Sequence, residues 1–350
     1  MPDRKIRVLI VDDSAIVRKM LSEALAAEPD LEVVGTAPDP FVARDKIESL
    51  RPDVLTLDIE MPRMDGLTFL TKLMRFHPLP VIVISSLAQA SSRTALEALQ
   101  CGAVEVLGKP GGPYSVGELK HDLPHKVRAA AHARLKRPAA DPQEARRPAQ
   151  PPLRLVGTPS TLIAIGASTG GTEAIREVLE KIPESSPGIV IVQHIPPVFS
   201  AAFANRLNDT CRIRVKEASD GDRVIPGQAL VAPGNFHMTL RRRGSEYQVA
   251  VQDGPRVCYQ RPSVDVLFDS VAEAAGKNAI GVILTGMGAD GAQGMLKMKR
   301  AGARTLAQDE ASCVVFGMPR EAIRLGGADH VLPLNRIGPE LASLAAMPAR

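Results

Sequence analysis

The sequence predicts an α/β chain of two doubly wound parallel-sheet domains joined by a Pro/Arg/Ala-rich linker. Three observations predict it. The 350 residues exceed the size at which one hydrophobic core usually keeps growing. Two separate regions alternate short apolar runs with amphipathic stretches, as parallel strands alternate with crossover helices. Between those regions the composition changes abruptly: residues 138–159 hold six prolines among Arg, Gln and Ala, a semi-extended connector with no core of its own.

In the first region, residues 7–11 (RVLIV), 32–35, 54–57 (VLTL), 81–84 (VIVI) and 104–107 read as five buried strands, continuous apolar runs as in sheets covered on both faces. The stretches 15–27 and 90–100 between them carry helical periodicity. Residues 126–136 are rich in Ala and Arg and predict a helix before the linker. The second region begins near residue 161. Residues 162–165, 188–192, 229–232 and 279–284 are its strands, and 238–241 with 247–251 form a hairpin turning at Arg243–Gly244. The two regions share no repeat, so the chain is a fusion of different units.

Bulk properties exclude several functions. The net charge of +4 is unevenly placed: residues 123–158 carry eight Lys/Arg against two acids, about +6, so the remainder is slightly acidic. The basic balance therefore belongs to the connector and gives no support to nucleic-acid binding. Aromatics at 3% with no Trp also argue against a base-stacking platform. Cys101, Cys211, Cys258 and Cys313 show no ligand spacing and predict reduced thiols. The N-terminal residues lack the apolar core of a signal peptide, and no apolar run approaches the ~20 residues needed to span a bilayer. The expectation is a cytoplasmic protein without direct membrane insertion.

Asp12 and Asp13 directly follow the first strand, and Asp58 directly follows the third. In doubly wound sheets ligands gather outside the carboxyl ends of the strands. Clustered hard oxygens there suit Mg²⁺, which takes one or two carboxylates plus waters and phosphate oxygens. Ser85 ends the fourth strand, and Lys109 after the fifth brings a cation to the same rim. A single Asp after a strand is more often a turn former or helix cap; five matching positions at successive strand ends are not explained that way.

VDDS at 11–14, LDIEMPRMDG at 57–66, ISS at 84–86 and GKP at 108–110 together resemble the receiver domain of bacterial response regulators, a flavodoxin-like fold. The resemblance implies a phosphoacceptor Asp58 served by a histidine kinase. It implies Mg²⁺ held by Asp12, Asp13, Asp58 and the backbone carbonyl of Glu60, with Ser85 and Lys109 contacting the phosphoryl oxygens. Many receivers carry an aromatic switch residue where this chain has Val106.

In the second region the strand 162–165 runs into Gly166-Ala-Ser168-Thr-Gly170-Gly171 and then a helical pattern. This is GxSxG at a strand-to-helix turn, where small neighbours let a serine hydroxyl project, although such a loop also suits a phosphate. His194 follows the strand 188–192 by way of Gln193, and Asp290 lies in the glycine-rich segment after 279–284. Each has an ordinary structural reading alone. Together they place a hydroxyl, an imidazole and a carboxylate at one end of one sheet, the set a serine nucleophile needs. The order Ser, His, Asp differs from the α/β-hydrolase order Ser, Asp, His. Gly286, Met287 and Gly288 can bring backbone N–H groups to a substrate carbonyl, each such donor contributing ~3 kcal/mol.

IGASTGG at 165–171, QHIP at 193–196, VAPGNFH at 231–237, LTGMGADGAQGM at 284–295 and GMPREA at 317–322 resemble the catalytic domain of the chemotaxis protein-glutamate methylesterase (CheB) family. The resemblance implies a Rossmann-like serine esterase with Ser168 as nucleophile, His194 as general base, Asp290 orienting it and Met287 giving an oxyanion N–H, with no cofactor for this reaction. Its implied substrates are glutamyl 5-O-methyl esters on the cytoplasmic helices of methyl-accepting chemoreceptors, cleaved to glutamate and methanol, with deamidation of receptor glutamine as a second activity. The implied boundaries are a receiver over 4–122, a linker over 123–157 and a catalytic domain over 158–345. The fusion implies that the receiver restrains the esterase until Asp58 is phosphorylated. A response regulator with a non-catalytic binding output domain is the competing reading, and a DNA-binding output is disfavoured because no helix-turn-helix pattern follows the linker.

Overall fold

The computed structural model describes residues 4–86, 89–109, 116–135 and 161–347. The chain divides into two compact units, Met1–Ala145 and Arg146–Arg350. Pro110 and the Pro-rich stretch 138–159 lie outside the described residues.

The first unit runs β1 (Ile6–Val11), α1 (Ala15–Ala26), β2 (Leu31–Ala37), α2 (Pro40–Leu50), β3 (Val54–Asp58), α3 (Gly66–Phe76), β4 (Val81–Ser85), α4 (Gln89–Gln100), β5 (Glu105–Gly108) and α5 (Val116–Ala131). All strand pairs are parallel, in the order β2-β1-β3-β4-β5. Each early helix starts at a side-chain oxygen that accepts a free backbone N–H: Ser14 from Val17, Asp39 from Phe41 and Val42, Asp65 from Thr68. Leu9, Ile10, Leu55, Leu57, Ile82 and Ile84 of the sheet are fully buried, each worth ~1.5–3 kcal/mol relative to exposure. The strand order reverses direction between β1 and β3, which opens a crevice at their carboxyl ends.

The second unit runs β6 (Leu162–Ala167), α6 (Gly171–Leu179), β7 (Gly188–Gln193), α7 (Phe199–Thr210), β8 (Arg214–Glu217), β9 (Gln228–Val231), β10 (His237–Arg243), β11 (Glu246–Gln252), α8 (Val264–Ala274), β12 (Ala279–Ile283), α9 (Ala292–Arg300), β13 (Arg304–Gln308), α10 (Met318–Arg324), β14 (His330–Leu332) and α11 (Leu334–Ala346). Seven parallel strands lie in the order β14-β13-β12-β6-β7-β9-β8, and β10 and β11 form a separate antiparallel ribbon. Its first strand, β6, is central, with β7 on one side and β12 on the other. Every residue of β6, β7 and β12 is buried, because helices cover both faces. The core beneath α8 holds Leu267, Phe268, Val271, Met295 and Met298.

The predicted strands are present, with ends shifted by a residue or two. Three more, β8, β13 and β14, were not expected. The hairpin pairs Arg243 with Glu246, so its turn is Gly244–Ser245, one residue beyond the expected place. The helix expected over 126–136 begins ten residues earlier and ends at Ala131. Pro124 lies inside it; read from sequence, a proline marks a helix boundary.

Candidate functional site

In the first unit β1 and β3 are neighbours, so Asp12 and Asp13 after β1 meet Asp58 at the end of β3. Carboxylate oxygens of all three lie within 4.8 Å of one another. Asp12 and Asp58 are buried and Asp13 is exposed. Lys109, one residue beyond β5, reaches across with Nζ 2.7 Å from Asp58 Oδ2 and 3.1 Å from Asp12 Oδ2. Burial pushes the Asp58 carboxyl up to about 6 against the opposing hydrogen bond from Lys109, and the Asp12 charge adds to the rise. Asp12 is raised for the same first reason, burial, with Lys109 opposing it. Ser85 is fully buried at the end of β4, and the Lys109 N–H donates to its carbonyl at 2.7 Å. The Glu60 N–H donates to Asp58 Oδ1 at 3.1 Å, which brings that stretch of main chain to the pocket. Val106 is buried in β5.

These residues fit a hard divalent cation. Asp12 Oδ2 is a buried oxygen that no hydrogen bond satisfies, although Lys109 stands 3.1 Å from it. Two buried carboxylates share one partly exposed ammonium, so negative charge is in excess, as an oxygen-ligating metal requires. Sequence reading missed Arg18, whose Nη1 donates to the carbonyls of Asp12 (2.7 Å) and Asp13 (2.9 Å) and so fixes the main chain that carries both.

In the second unit Ser168 follows β6, His194 follows β7 and Asp290 comes seven residues after β12. Ala167 and Gln193 are paired across β6 and β7, so Ser168 and His194 leave adjacent strands at the same level. The His194 N–H donates to the Ala167 carbonyl at 3.1 Å, locking the two main chains together. His194 Nε2 lies 2.7 Å from Asp290 Oδ2, with both side chains buried. An ionised carboxylate only accepts, so Nε2 carries the proton and Nδ1 of the neutral ring keeps its lone pair. Nδ1 is buried and has no hydrogen-bond partner among the described residues.

Asp290 accepts four hydrogen bonds: from Ser263 Oγ (2.7 Å) and the Asp265 N–H (3.0 Å) at Oδ1, and from the Val264 N–H (2.7 Å) and His194 at Oδ2. Burial alone would raise this carboxyl, but the His194 contact and these donors hold it below the usual carboxylate range. The carboxylate therefore sits on the first amides of α8, where helix N–H groups lack internal partners.

The turn carrying Ser168 is tied down by Gln193, whose Nε2 donates to the carbonyls of Ser168 (2.9 Å) and His194 (3.1 Å). Gly171 lets that side chain pass, since a Cβ there would stand 2.1 Å from Gln193 Oε1. On the other side the Ser168 N–H donates to the Thr285 carbonyl at 3.0 Å, and Thr285 Oγ1 donates to the Thr169 carbonyl at 3.0 Å. Gly286 comes so close that a Cβ would lie 2.7 Å from Ser168 Cβ. The neighbouring Met287 N–H has no acceptor among the described residues, whereas the Gly286 N–H is spent on the Val315 carbonyl. Thus Ser168 and His194 leave adjacent strand ends joined by a main-chain hydrogen bond, and His194 and Asp290 meet through their side chains. Gln193, Thr285 and Ser263 were missed as site residues, though Gln193 and Thr285 stand inside the quoted motifs.

The family model for the CheB methylesterase matches residues 163–341, and that for the response regulator receiver domain matches residues 8–119. The protein-glutamate methylesterase/protein-glutamine glutaminase 2 of Syntrophus aciditrophicus is 58% identical over 339 residues, covering 96% of this chain and 98% of that protein. The protein-glutamate methylesterase/protein-glutamine glutaminase of Escherichia coli O157:H7 is 55% identical over 343 residues, covering 96% of each. Among solved structures, the Thermotoga maritima CheB methylesterase catalytic domain is matched with a TM-score of 0.52 at 40% identity, over 53% of this chain and 100% of that one.

Proposed function

Because this chain belongs to the CheB methylesterase family and carries a receiver domain, we propose that Ser168, His194 and Asp290 perform its esterase reaction and that a phosphoryl group on Asp58 controls it. The chain is a protein-glutamate methylesterase and protein-glutamine glutaminase of the chemotaxis type. The domain boundaries that go with this reading are 4–122, 123–157 and 158–345. The substrates are glutamyl methyl esters on the cytoplasmic helices of chemoreceptors, which puts the working site in the cytoplasm. No helix among the described residues is long and apolar enough to cross a membrane.

The observation that carries the esterase reading is the His194–Asp290 contact at 2.7 Å, which leaves Nδ1 buried and unpartnered among the described residues; in this reading it is the base that serves Ser168 from the adjacent strand end. Ser168 Oγ attacks the ester carbonyl carbon as Nδ1 takes its proton. The resulting oxyanion is met by the Met287 N–H. Nδ1 then gives its proton to the departing methoxide, methanol leaves, and a glutamyl ester of Ser168 remains. Water, deprotonated by Nδ1, attacks that ester; glutamate leaves and the proton returns to Ser168. With a glutamine side chain the first leaving group is ammonia and the remaining steps are unchanged.

In the receiver, Asp12, Asp13 and Asp58, with the Glu60 carbonyl, would hold Mg²⁺, which supplies positive charge against the incoming phosphoryl oxygens. Asp58 Oδ attacks the phosphorus of a phosphohistidine on the kinase, the P–N bond breaks and the kinase imidazole leaves, and Lys109 and Ser85 receive the phosphoryl oxygens. The test is methanol release from methylated receptor with and without a small-molecule phosphodonor. Ser168→Ala should release none above background, and Asp58→Ala should stay at its basal rate when the donor is added. A folded Ser168→Ala protein with normal release would sink the esterase reading.

A further inference from the structure

We infer that Ser263 is a positioning residue of the esterase site, its hydroxyl joining the first amides of α8 to hold the Asp290 carboxylate ionised and aimed at His194. The inference rests on the reading of Ser168, His194 and Asp290 as the working set.

Ser263 is fully buried and its hydroxyl has two partners. It donates to Asp290 Oδ1 at 2.7 Å and accepts the Val266 N–H at 3.4 Å as the N-cap of α8. The donated bond is short and charge-assisted, the accepted one long and neutral, so the stronger attachment is to Asp290. The Ser263 main chain is itself fixed. Its N–H donates to His237 Nδ1 at 3.3 Å, and His237 Nε2 donates in turn to the Pro255 carbonyl at 2.8 Å. The path from His237 through Ser263 to Asp290 and His194 is thus continuous, and its last member is the proposed base.

Among the described residues, the charge on Asp290 has no cation beside it other than His194 when protonated. The other titratable groups facing it are the Asp265 carboxyl and the Cys258 thiol, both raised first by burial and further by the Asp290 charge. During turnover His194 alternates between neutral and protonated, so its support for the carboxylate comes and goes. Ser263 Oγ and the amides of Val264 and Asp265 are the donors that stay. Without the hydroxyl, Oδ1 keeps one donor of its two. The carboxylate is then freer to rotate, and its less balanced charge retains a proton on the imidazole to higher pH.

The experiment compares Ser263→Ala and Ser263→Gly in the full chain, using methanol release from methylated receptor. Both remove the hydroxyl, but Gly is nearly as good an N-cap as Ser whereas Ala is a poor one. Both variants should lose kcat by about 10-fold, keep KM, and show the acid limb of the rate profile displaced to higher pH. Their thermal stabilities should differ while their kcat values agree. In an Asp290→Asn background, Ser263→Gly should cause no further loss of kcat, because the partner through which it acts is gone. Wild-type kcat in Ser263→Gly, or a loss that multiplies fully with that of Asp290→Asn, would overturn the inference. These outcomes leave the triad reading standing as long as Ser168→Ala is inactive; an active Ser168→Ala would remove the triad and this inference with it.

Discussion

Lys109 Nζ lies 2.7 Å from Asp58 Oδ2, an ion pair in which the carboxylate is fully buried and the ammonium keeps a fifth of its side-chain exposure (20%). The two partners respond differently to one environment. Burial dominates for Asp58 and raises it to about 6. For Lys109 burial is also the largest single influence and would lower it, yet the two carboxylates together outweigh it and the ammonium is held above its usual range. The pocket is therefore built to be short of positive charge.

A carboxyl raised in the fold binds protons more tightly than in the unfolded chain. Its contribution to stability is complete below 3.8 and is lost as pH climbs through about 6. Without Mg²⁺, exchange protection of the β3 amides should fall over that window by on the order of 2–3 kcal/mol. Asp58→Asn should flatten the dependence. Mg²⁺ should restore protection at pH 7.5 and do little at pH 5, which hydrogen–deuterium exchange can read directly.

Lys109→Ala removes the only cation seen against Asp12 and Asp58 among the described residues. Mg²⁺ should then bind about 10-fold more tightly, since the charge it competes with at this depth is worth ~1–2 kcal/mol. The rise in methanol release on adding phosphodonor should nevertheless shrink, because the proposed contact to the phosphoryl oxygens is gone. Calorimetric Mg²⁺ titration and the esterase assay separate these two effects.

Asp290→Asn should lower kcat by roughly 10³–10⁴, as when the carboxylate of a serine triad becomes an amide that cannot hold the imidazole tautomer. The same change should alter acid stability. The Asp290 carboxyl is depressed in the fold, so its contribution is present above 3.8 and is lost as pH falls through the folded value. The wild-type second unit should therefore lose stability on acidification more steeply than the Asn variant, measured by urea unfolding at successive pH values.

Gly286→Ala places a methyl 2.7 Å from Ser168 Cβ and 2.4 Å from Met318 Sδ. Met318 can yield, but the serine turn cannot move without leaving His194. The variant should cost ~1–3 kcal/mol of stability and at least 10²-fold in kcat, with the larger effect on kcat. Equal, small losses in both would show that this loop tolerates displacement.

The fold was legible where residues are buried on both faces and therefore read as continuous apolar runs: β1, β3, β4, β6, β7 and β12. It was illegible where burial is one-sided or brief. β8 (RVKE) alternates exposed and buried positions at a sheet edge, β14 has three residues, and β13 mixes Arg304 and Gln308 into a buried strand. Gln308 is there for a reason local pattern cannot show, since its Oε1 accepts the Thr285 N–H at 2.8 Å from 23 positions away. The site followed the same division. The candidates Ser168 and His194 stand out by residue type directly after strands, and Asp290 by its place in the glycine-rich segment after β12, whereas Ser263 was not singled out. Its bond to Asp290 is a fact of tertiary packing.

The imidazole of His194 turns its far nitrogen to the carboxylate, so the proposed reaction would use Nδ1, the nitrogen nearer its own backbone. A base on so short a lever has little swing, and its position is dictated by where the main chain of β7 ends relative to β6. A slip of one residue in the pairing of those two strands cannot be repaired by any choice of rotamer.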